Sequence, residues 1–335
     1  MKNVFSALLA ALMLAGMLAG CMNSSEVSMG SATAAPSQTE APAHTKISIV
    51  TTIFPEYDWV REILGDKADS AEITMLLDNG VDLHSYQPTA DDIIKISDCD
   101  LFVYVGGESD GWVDDALKNA TNKNRKVINL LEILGDSVKE EETVEGMQEE
   151  EENQEEKEYD EHVWLSLKNA KTLVGAISAA LQELDPGNKD TYAANADAYV
   201  QKLSALDAEY QKAVSAGTYR TLLFGDRFPF RYLVDDYGLS YYAAFVGCSA
   251  ESEASFETVS FLARKVDEGK LPCVLTIEGK NHKIAETIVQ NTAGKNQKIL
   301  TMDSMQSTTS QDVASGTTYL SLMEQNLDVL KEALG

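Results

Sequence analysis

Short runs of β-branched and other apolar residues alternate with longer amphipathic stretches along most of this 335-residue chain. Runs of this kind are typical of strands buried on both faces, and their alternation with helices predicts parallel sheets. Four runs fall in the first half of the chain and four in the second, at 46–52, 73–77, 101–105, 126–130, 221–224, 239–245, 273–277 and 299–302. The sequence therefore predicts an α/β protein of two lobes, each with a mainly parallel sheet flanked by helices.

A single long helix is predicted between the lobes, at 188–214. Tyr192, Tyr199 and Leu203 belong to a set of apolar residues that recur there every three or four positions, which is typical of a helix with one buried face. Such a helix spans about 35–40 Å, because each residue adds about 1.5 Å. We expect an N-terminal lobe at 46–187 and a C-terminal lobe at 215–335.

The first 45 residues fit neither lobe. A short basic start and an apolar run are typical of a signal peptide, and Leu18-Ala19-Gly20-Cys21 resembles the lipobox of bacterial lipoproteins. We expect 1–20 to be a lipoprotein signal peptide, and Cys21 to carry the lipid that anchors the chain outside the cytoplasmic membrane. A plain signal peptide and an uncleaved anchor are the alternatives. The composition of 21–45, rich in Ser, Ala, Thr and Pro, predicts a flexible linker.

The net charge of −27 limits the partners of the protein. A surface this acidic repels nucleic acid and attracts cations. Much of the charge lies in a loop at 139–161, where the acids repel one another, so this loop is expected to be disordered. It is either an ordinary solvated loop or a flap that gathers cations.

Polar side chains in the loops after the predicted strands define a candidate site, because ligands of open parallel sheets bind beyond the carboxyl ends of the strands. In the N-terminal lobe they are His84 and His162, two of only four histidines in the chain. In the C-terminal lobe they are Asp226, Glu251, Glu253, Glu278 with His282, and Asp303. Imidazole and carboxylate groups are ligands of both zinc and manganese. These residues therefore indicate a divalent-metal site.

The cysteines leave one question open. If Cys21 carries a lipid, Cys99, Cys248 and Cys273 remain, and an odd number cannot all pair within one chain. A disulfide between Cys248 and Cys273 is neither required nor excluded by their spacing.

Five motifs make nearly the whole mature chain similar to one protein family. They are Thr52-Ile53-Phe54-Pro55, Asp82-Leu83-His84-Ser85-Tyr86-Gln87-Pro88, Asp98-Cys99-Asp100-Leu101-Phe102, His162-Val163-Trp164-Leu165 and Tyr319-Leu320-Ser321-Leu322-Met323-Glu324-Gln325-Asn326-Leu327. In this order they resemble the zinc and manganese solute-binding lipoproteins of bacterial ABC transporters. The resemblance implies two lobes bridged by a rigid helix, with one metal ion in the cleft between them. It also implies a charged, often histidine-rich loop before the second histidine ligand. In this chain that loop is acidic and lacks histidine.

Carried over residue by residue, the family's ligands fall on His84, His162 and Asp303. The remaining ligand, a histidine or glutamate of the C-terminal lobe, has no counterpart, because the matching position is Arg227 or Gly225. An arginine stays protonated and is repelled by a divalent cation, so it needs a carboxylate partner or a different set of ligands. The candidates for the missing ligand are Asp226, Glu278 and Cys248.

The resemblance implies an extracytoplasmic receptor rather than an enzyme. The lobes would capture one metal ion, zinc in preference to manganese, and the loaded protein would dock on an ABC permease driven by its ATPase. One alternative is a zinc hydrolase using His84 and His162, although no His-Glu-x-x-His pair or Gly-x-Ser-x-Gly elbow supports it. Another is the same fold holding an anion or a metal chelate through Arg227. We expect a monomer that binds no nucleic acid.

Overall fold

Two four-stranded sheets, one from each half of the chain, form the centre of the molecule. The computed structural model describes residues 46–118, 120–148, 158–249, 253–279 and 281–335. The predicted signal peptide, the lipid-bearing Cys21, the linker at 21–45 and Glu251 lie outside these residues. Across the part of the chain that is described, no helix has both the length and the apolar composition needed to cross a membrane.

The N-terminal sheet has the strand order β2-β1-β3-β4, and all its strands are parallel. Val50 in β1 lies opposite Thr74 on one side and Phe102 on the other. Ile49 and Val103 have no exposed surface, which explains why these strands are continuous apolar runs. The elements of this lobe are β1 (Ser48–Thr51), α1 (Phe54–Leu64), β2 (Glu72–Met75), α2 (Ala90–Asp98), β3 (Leu101–Tyr104), α3 (Val113–Lys118), β4 (Lys126–Asn129), α4 (Leu130–Leu134) and α5 (Leu167–Leu184).

One 28-residue helix, α6 (Lys189–Ala216), leads from the first lobe into the second. At about 1.5 Å per residue it is about 42 Å long. Its apolar stripe, which includes Tyr199 and Tyr210, is buried. The helix packs against α1 and α5 and against the C-terminal helix α11 (Tyr319–Leu334), where the Tyr210 hydroxyl donates to the Met323 carbonyl at 2.6 Å. It therefore braces both lobes.

The C-terminal sheet has the order β6-β5-β7-β8, again all parallel. Its remaining elements are β5 (Thr221–Phe228), α7 (Arg231–Tyr237), β6 (Ser240–Val246), α8 (Phe256–Gly269), β7 (Cys273–Ile277), α9 (Lys283–Asn291), β8 (Lys298–Met302) and α10 (Ser310–Ala314). The register of β5 against β6 shifts between Phe224 and Arg227. Helix α9 crosses this irregularity so closely that a Cβ on Gly225 would lie 2.6 Å from the Cα of Ala285. The two parallel α/β lobes joined by a long helix confirm the predicted fold class.

The hydrophobic pattern of the sequence does not predict three short helices, α3, α4 and α10. Each has five or six residues. That is less than two helical turns, too few for apolar residues to show a 3.6-residue period. Polar side chains begin two of them, because Asn129 caps α4 and Thr309 caps α10.

The described residues of the acidic loop are ordered, contrary to the expectation of disorder from 139 to 161. Its residues 139–148 and 158–161 are described, whereas 149–157 are not. Glu142 forms an ion pair with Arg231, and Glu145 lies 3.7 Å from the Lys265 ammonium. The expectation counted only charges within the loop, but basic side chains of the C-terminal lobe neutralise some of them.

The thiols that the structure describes, Cys99, Cys248 and Cys273, are all free. The disulfide between Cys248 and Cys273 that the sequence left open is therefore absent. Cys99 and Cys273 are buried in the two lobes, and Cys248 is partly exposed.

Candidate metal centre

Three side chains bring metal-binding atoms together where the lobes meet: His84 and His162 from the N-terminal lobe and Cys248 from the C-terminal lobe. Their ligand atoms all lie within 4.8 Å of one another. The Nε2 atoms of the two histidines are 3.2 Å apart. Two nitrogens bound tetrahedrally to one zinc ion, each at about 2.0–2.1 Å, are separated by about 3.4 Å. The two rings therefore need almost no movement to share an ion.

His84 lies in a single 3-10 turn, Leu83–Ser85, that follows β2. Asp82 begins this turn, and its Oδ1 accepts a hydrogen bond from the His84 backbone N–H at 3.0 Å. The ring Nδ1 is 2.8 Å from Ser109 Oγ and 3.5 Å from Glu161 Oε2. These contacts direct the other ring nitrogen, Nε2, toward His162.

His162 is fully buried and precedes a second 3-10 turn, Val163–Leu165. Asp160 holds it twice, because Oδ1 accepts the backbone N–H at 2.9 Å and also lies 2.9 Å from ring Nδ1. An ionised carboxylate only accepts hydrogen bonds, so this contact fixes the tautomer with its proton on Nδ1 and a lone pair on Nε2. A carboxylate on the far side of an imidazole is the common support of a metal-binding histidine.

Cys248 follows the end of β6 by two residues. Its backbone N–H donates to Glu141 Oε1 at 2.9 Å. The preceding Gly247 lets the two lobes approach closely, because a Cβ there would lie 3.0 Å from Cε1 of the His162 ring. Backbone of one lobe thus packs directly on a histidine of the other.

Burial and the closeness of the two rings set the charge of the site. Burial, followed by the neighbouring His162, lowers the pKa of His84 to about 3, so this ring is neutral at pH 7. Burial also opposes a charge on His162, but the Asp160 carboxylate outweighs it and raises the pKa of His162 above its usual value. Burial raises the pKa of the Cys248 thiol well above its usual value. A metal ion that binds all three must therefore displace protons.

Asp303, the predicted carboxylate ligand, is not part of this group. Its Oδ1 accepts a hydrogen bond from the Met305 N–H at 2.8 Å. Its backbone N–H and carbonyl are both held by the Asn326 amide, at 2.7 and 2.8 Å. Burial, followed by nearby Glu278, raises the pKa of Asp303 to about 7. The residue of the C-terminal lobe that does belong to the group is Cys248, and Asp303 as a ligand stays a prediction.

Asp226 and Glu278, the other two predicted ligands, also have different partners. Asp226 Oδ2 accepts from the Ile277 N–H at 3.3 Å. Glu278 accepts from the backbone N–H and the hydroxyl of Ser304, at 2.7 and 2.6 Å. Both side chains therefore stabilise the ends of strands in the C-terminal lobe and stand apart from the three-residue group.

Arg227 crosses from the C-terminal lobe to the N-terminal lobe. Its Nη2 is 2.6 Å from Asp82 Oδ2, and its Nη1 donates to the Ser249 carbonyl at 3.2 Å. Burial opposes a charge on Asp82, but the guanidinium lowers the pKa of that carboxyl below its usual value. The carboxylate partner that an arginine at this position requires is thus the residue that caps the His84 turn.

Sequence reasoning missed Gln306. This side chain is 2% exposed, lies beside His84, and donates from Nε2 to the Ser304 hydroxyl at 3.1 Å. Its Oε1 has no hydrogen-bond partner among the described residues. Nothing in the sequence marks it, because it is uncharged and does not directly follow a strand. Cys248 was not missed: the sequence already made it a candidate for the missing ligand, and the structure places it in the group.

The sequence matches a family model over residues 49–333: ZnuA, the zinc-uptake complex component A, periplasmic. The chain is 32% identical over 294 residues to the zinc-binding lipoprotein AdcA of Streptococcus pneumoniae serotype 4. That match covers 87% of this chain and 56% of AdcA, so the chain spans little more than half the length of this relative. It is 30% identical over 295 residues to the high-affinity zinc uptake system protein ZnuA of Bacillus subtilis, covering 86% of this chain and 88% of that protein.

A solved structure also matches the fold. The crystal structure of the Zn(II)-bound ZnuA-like domain of Streptococcus pneumoniae AdcA aligns with a TM-score of 0.68 at 31% identity, covering 86% of this chain and 99% of that domain. The matched family consists of zinc-uptake components and not of enzymes, in agreement with the expectation from the sequence. With two α/β lobes, a bridging helix and a family match over residues 49–333, this chain belongs to the ZnuA family.

Proposed function

We propose that this protein captures one zinc ion between its lobes and delivers it to an ABC-type membrane permease with its ATPase. The observation that carries the proposal is the 3.2 Å separation of the His84 and His162 Nε2 atoms. Each ring is oriented from behind, at Nδ1, by Ser109 or by Asp160. Two lone pairs aimed at one point repel each other unless a cation or a proton lies between them.

Cys248 is the ligand that we assign to the C-terminal lobe. It stands in for the histidine or glutamate that the family resemblance implies there. Two imidazoles and one thiolate make three zinc ligands, and a tetrahedral ion takes a fourth. The candidates for that position are the free Gln306 oxygen, the Asp303 carboxylate and a water molecule.

This set of ligands favours zinc over manganese. Thiolate and imidazole suit zinc, whereas manganese prefers carboxylate and water oxygens. The named relatives support the same ion, since AdcA is called zinc-binding and ZnuA is called a zinc uptake protein. A thiolate in place of a carboxylate should strengthen the preference beyond what two histidines provide.

Neither alternative finds a supporting observation. An anion or a metal chelate would need the Arg227 guanidinium, but Asp82 and the Ser249 carbonyl already occupy it. The cavity of about 340 Å³ beside it is lined by three carboxylates, of Asp82, Asp226 and Glu278, and by only two cationic side chains, of Arg227 and Lys283, so its formal charge does not favour an anion. A zinc hydrolase would be foreign to a family of zinc-uptake components.

We also propose that the protein is tethered outside the cytoplasmic membrane through a lipid on Cys21 and acts as a monomer. The lipobox-like Leu18-Ala19-Gly20-Cys21 supports the lipid anchor, as does the lipoprotein name of the relative AdcA. Residues 21–45 would then link the membrane to the lobes at 46–187 and 215–335. Incorporation of radiolabelled palmitate that disappears in Cys21→Ala would support the anchor, and equal labelling of the variant would refute it.

Metal analysis and zinc titration of the purified protein test the main proposal. Cys248→Ala should weaken zinc binding by about 10-fold or more, since it removes one of the ligands. Cys273→Ala is the matched control, because it removes a buried thiol at the start of β7, at the opposite end of the parallel sheet from the loop that carries Cys248. The wild type should bind zinc more tightly than manganese. Failure of the wild-type protein to bind zinc, or equal affinities in the two variants, would overturn the assignment.

A further inference from the structure

The described residues of the acidic loop form two limbs that pair with each other. We call residues 139–148 and 158–161 the strap. The limbs are joined by hydrogen bonds from the Glu141 N–H to the Glu158 carbonyl and from the Asp160 N–H to the Lys139 carbonyl, each 2.9 Å long, and by an antiparallel bridge between Glu140 and Tyr159. The strap is therefore a short ladder and not two independent segments.

The strap starts in the N-terminal lobe but is bound to the C-terminal lobe. The Tyr232 hydroxyl of α7 accepts from the Lys139 N–H at 3.0 Å and donates to the Asp160 carbonyl at 2.7 Å. One side chain thus holds both limbs. Further along, the Gln148 N–H donates to the Ala244 carbonyl of the edge strand β6 at 3.0 Å. These contacts fix the ladder against the strand that leads into Cys248.

Each limb carries at least one carboxylate that orients a ligand of the proposed site. Asp160 accepts from the backbone and faces Nδ1 of His162, whereas Glu141 accepts the backbone N–H of Cys248. His162 and Cys248 belong to different lobes, yet the groups that hold them lie on neighbouring limbs of one ladder. The ladder therefore sets the separation of the two ligands.

We propose that the strap positions the ligands of the metal site. Glu141 holds Cys248 close enough to His162 for one ion to bind both residues. The inference rests on the proposed function, because it takes Cys248 to be a ligand. Glu141 is a positioning residue and not a ligand, since it does not belong to the group of converging atoms. A backbone N–H bound to a carboxylate is a strong, short hydrogen bond, well suited to hold a loop in place. Through the strap, a residue of the N-terminal lobe thus positions the ligand of the C-terminal lobe.

Cobalt(II) provides a readout that a general loss of stability would not change. A thiolate bound to cobalt gives a charge-transfer band in the near ultraviolet, and its intensity per bound cobalt reports the Cys248–metal bond. In the full-length protein under reducing conditions, Glu141→Ala should reduce this band by at least half. It should also weaken cobalt binding by about 10–100-fold, the usual effect of removing a group that orients a ligand. Glu141→Gln should restore both, because its amide oxygen still accepts the Cys248 N–H.

Glu145→Ala is the matched control. Glu145 lies on the same strap and pairs with Lys265, but it has no contact with Cys248 in the structure. It should keep the wild-type band and affinity. Tyr232→Phe is the second test if Glu141→Ala fails to fold. It removes the hydroxyl that joins both limbs to α7, and it should weaken the band while leaving Glu141 in place.

The outcomes separate this proposal from the one it rests on. An unchanged band and affinity in Glu141→Ala, or an equal loss in Glu145→Ala, would refute the positioning role while leaving Cys248 as a ligand. A band that is absent from the wild type, or that survives in Cys248→Ala, would refute Cys248 as a ligand and the strap proposal with it. A loss in Glu141→Ala that Glu141→Gln restores would support both.

Discussion

The ion pair between Arg227 and Asp82 should stabilise the metal-free protein, and a double-mutant cycle can measure by how much. Arg227→Leu removes the guanidinium. Asp82→Asn removes the charge but keeps the Oδ1 atom that caps the His84 turn. The two changes together complete the cycle, and the coupling free energy isolates the pair from the other contacts of each side chain.

The structure gives the size of the expected effect. The closest N–O distance is 2.6 Å, and the side chains are 17% and 24% exposed. Two unit charges about 4 Å apart attract each other by about 4 kcal/mol at an effective dielectric constant of about 20. Desolvation and the loss of side-chain freedom oppose this attraction. We expect a coupling free energy of about 2 kcal/mol, above the 1 kcal/mol or so that exposed pairs reach.

Urea unfolding of the four proteins, with metal removed by a chelator, measures the coupling. The exposed pair Lys331–Asp328, 2.9 Å apart on α11, is the matched control and should show little coupling. Raising the salt concentration should change the coupling of the Arg227–Asp82 pair little, because partly buried pairs are screened much less than exposed ones. A coupling for Arg227 and Asp82 no larger than that of the control would refute the view that this pair joins the lobes.

Two further predictions concern packing and pH. Gly247→Ala should weaken zinc binding by about 10-fold or more. Its Cβ would lie 3.0 Å from the His162 ring and 2.9 Å from the Phe228 carbonyl oxygen, so the ring would have to move from its position. Zinc titration checks this prediction, and an unchanged affinity would contradict it. Asp58→Asn should flatten the pH dependence of stability. Burial raises the pKa of Asp58 to about 7, so the folded protein binds this proton more tightly than the unfolded chain does. Its contribution to the free energy of unfolding is therefore complete below about pH 4 and is lost as the pH rises to about 7, by at most about 4 kcal/mol. Asn can still accept the Tyr319 N–H that Asp58 accepts at 3.0 Å, so the variant should be the more stable protein at pH 8. Urea unfolding at several pH values measures this. The argument would be contradicted if the free energy of unfolding changed equally between pH 4 and 7 in the variant and the wild type.

The strands and long helices could be predicted because their signals are local. Ile49 and Val103 belong to runs that are buried on both faces, and the tyrosines of α6 recur with the helical period. His84 and His162 were found because histidine is rare in this chain and both lie in loops after strands. Family resemblance then added the expectation of a site between lobes.

The C-terminal side of the site depended on contacts distant in sequence. The resemblance predicts Asp303 as a ligand, and this stays a prediction; in the structure the Asn326 amide of α11 holds its backbone and the Met305 N–H donates to its carboxylate. Arg227 was expected to need a carboxylate, but its partner Asp82 lies 145 residues away. The order of the acidic loop depends in the same way on Arg231 and on other residues of the second lobe. Local charge and spacing carry no information on any of these pairs.

The helix between the lobes limits the ways in which a bound metal ion could be released. Helix α6 is unbroken for 28 residues and contains neither glycine nor proline. Hinges that allow large domain rotations lie in loops or at the ends of elements, where backbone angles can change. A wide clamshell opening with its hinge inside α6 would have to break hydrogen bonds of the helix, and one with its hinge at an end of α6 would have to undock the helix from one lobe. On the proposed function, unloading would therefore depend on movements of the loops that carry His84, His162 and Cys248, and the permease would act on those loops.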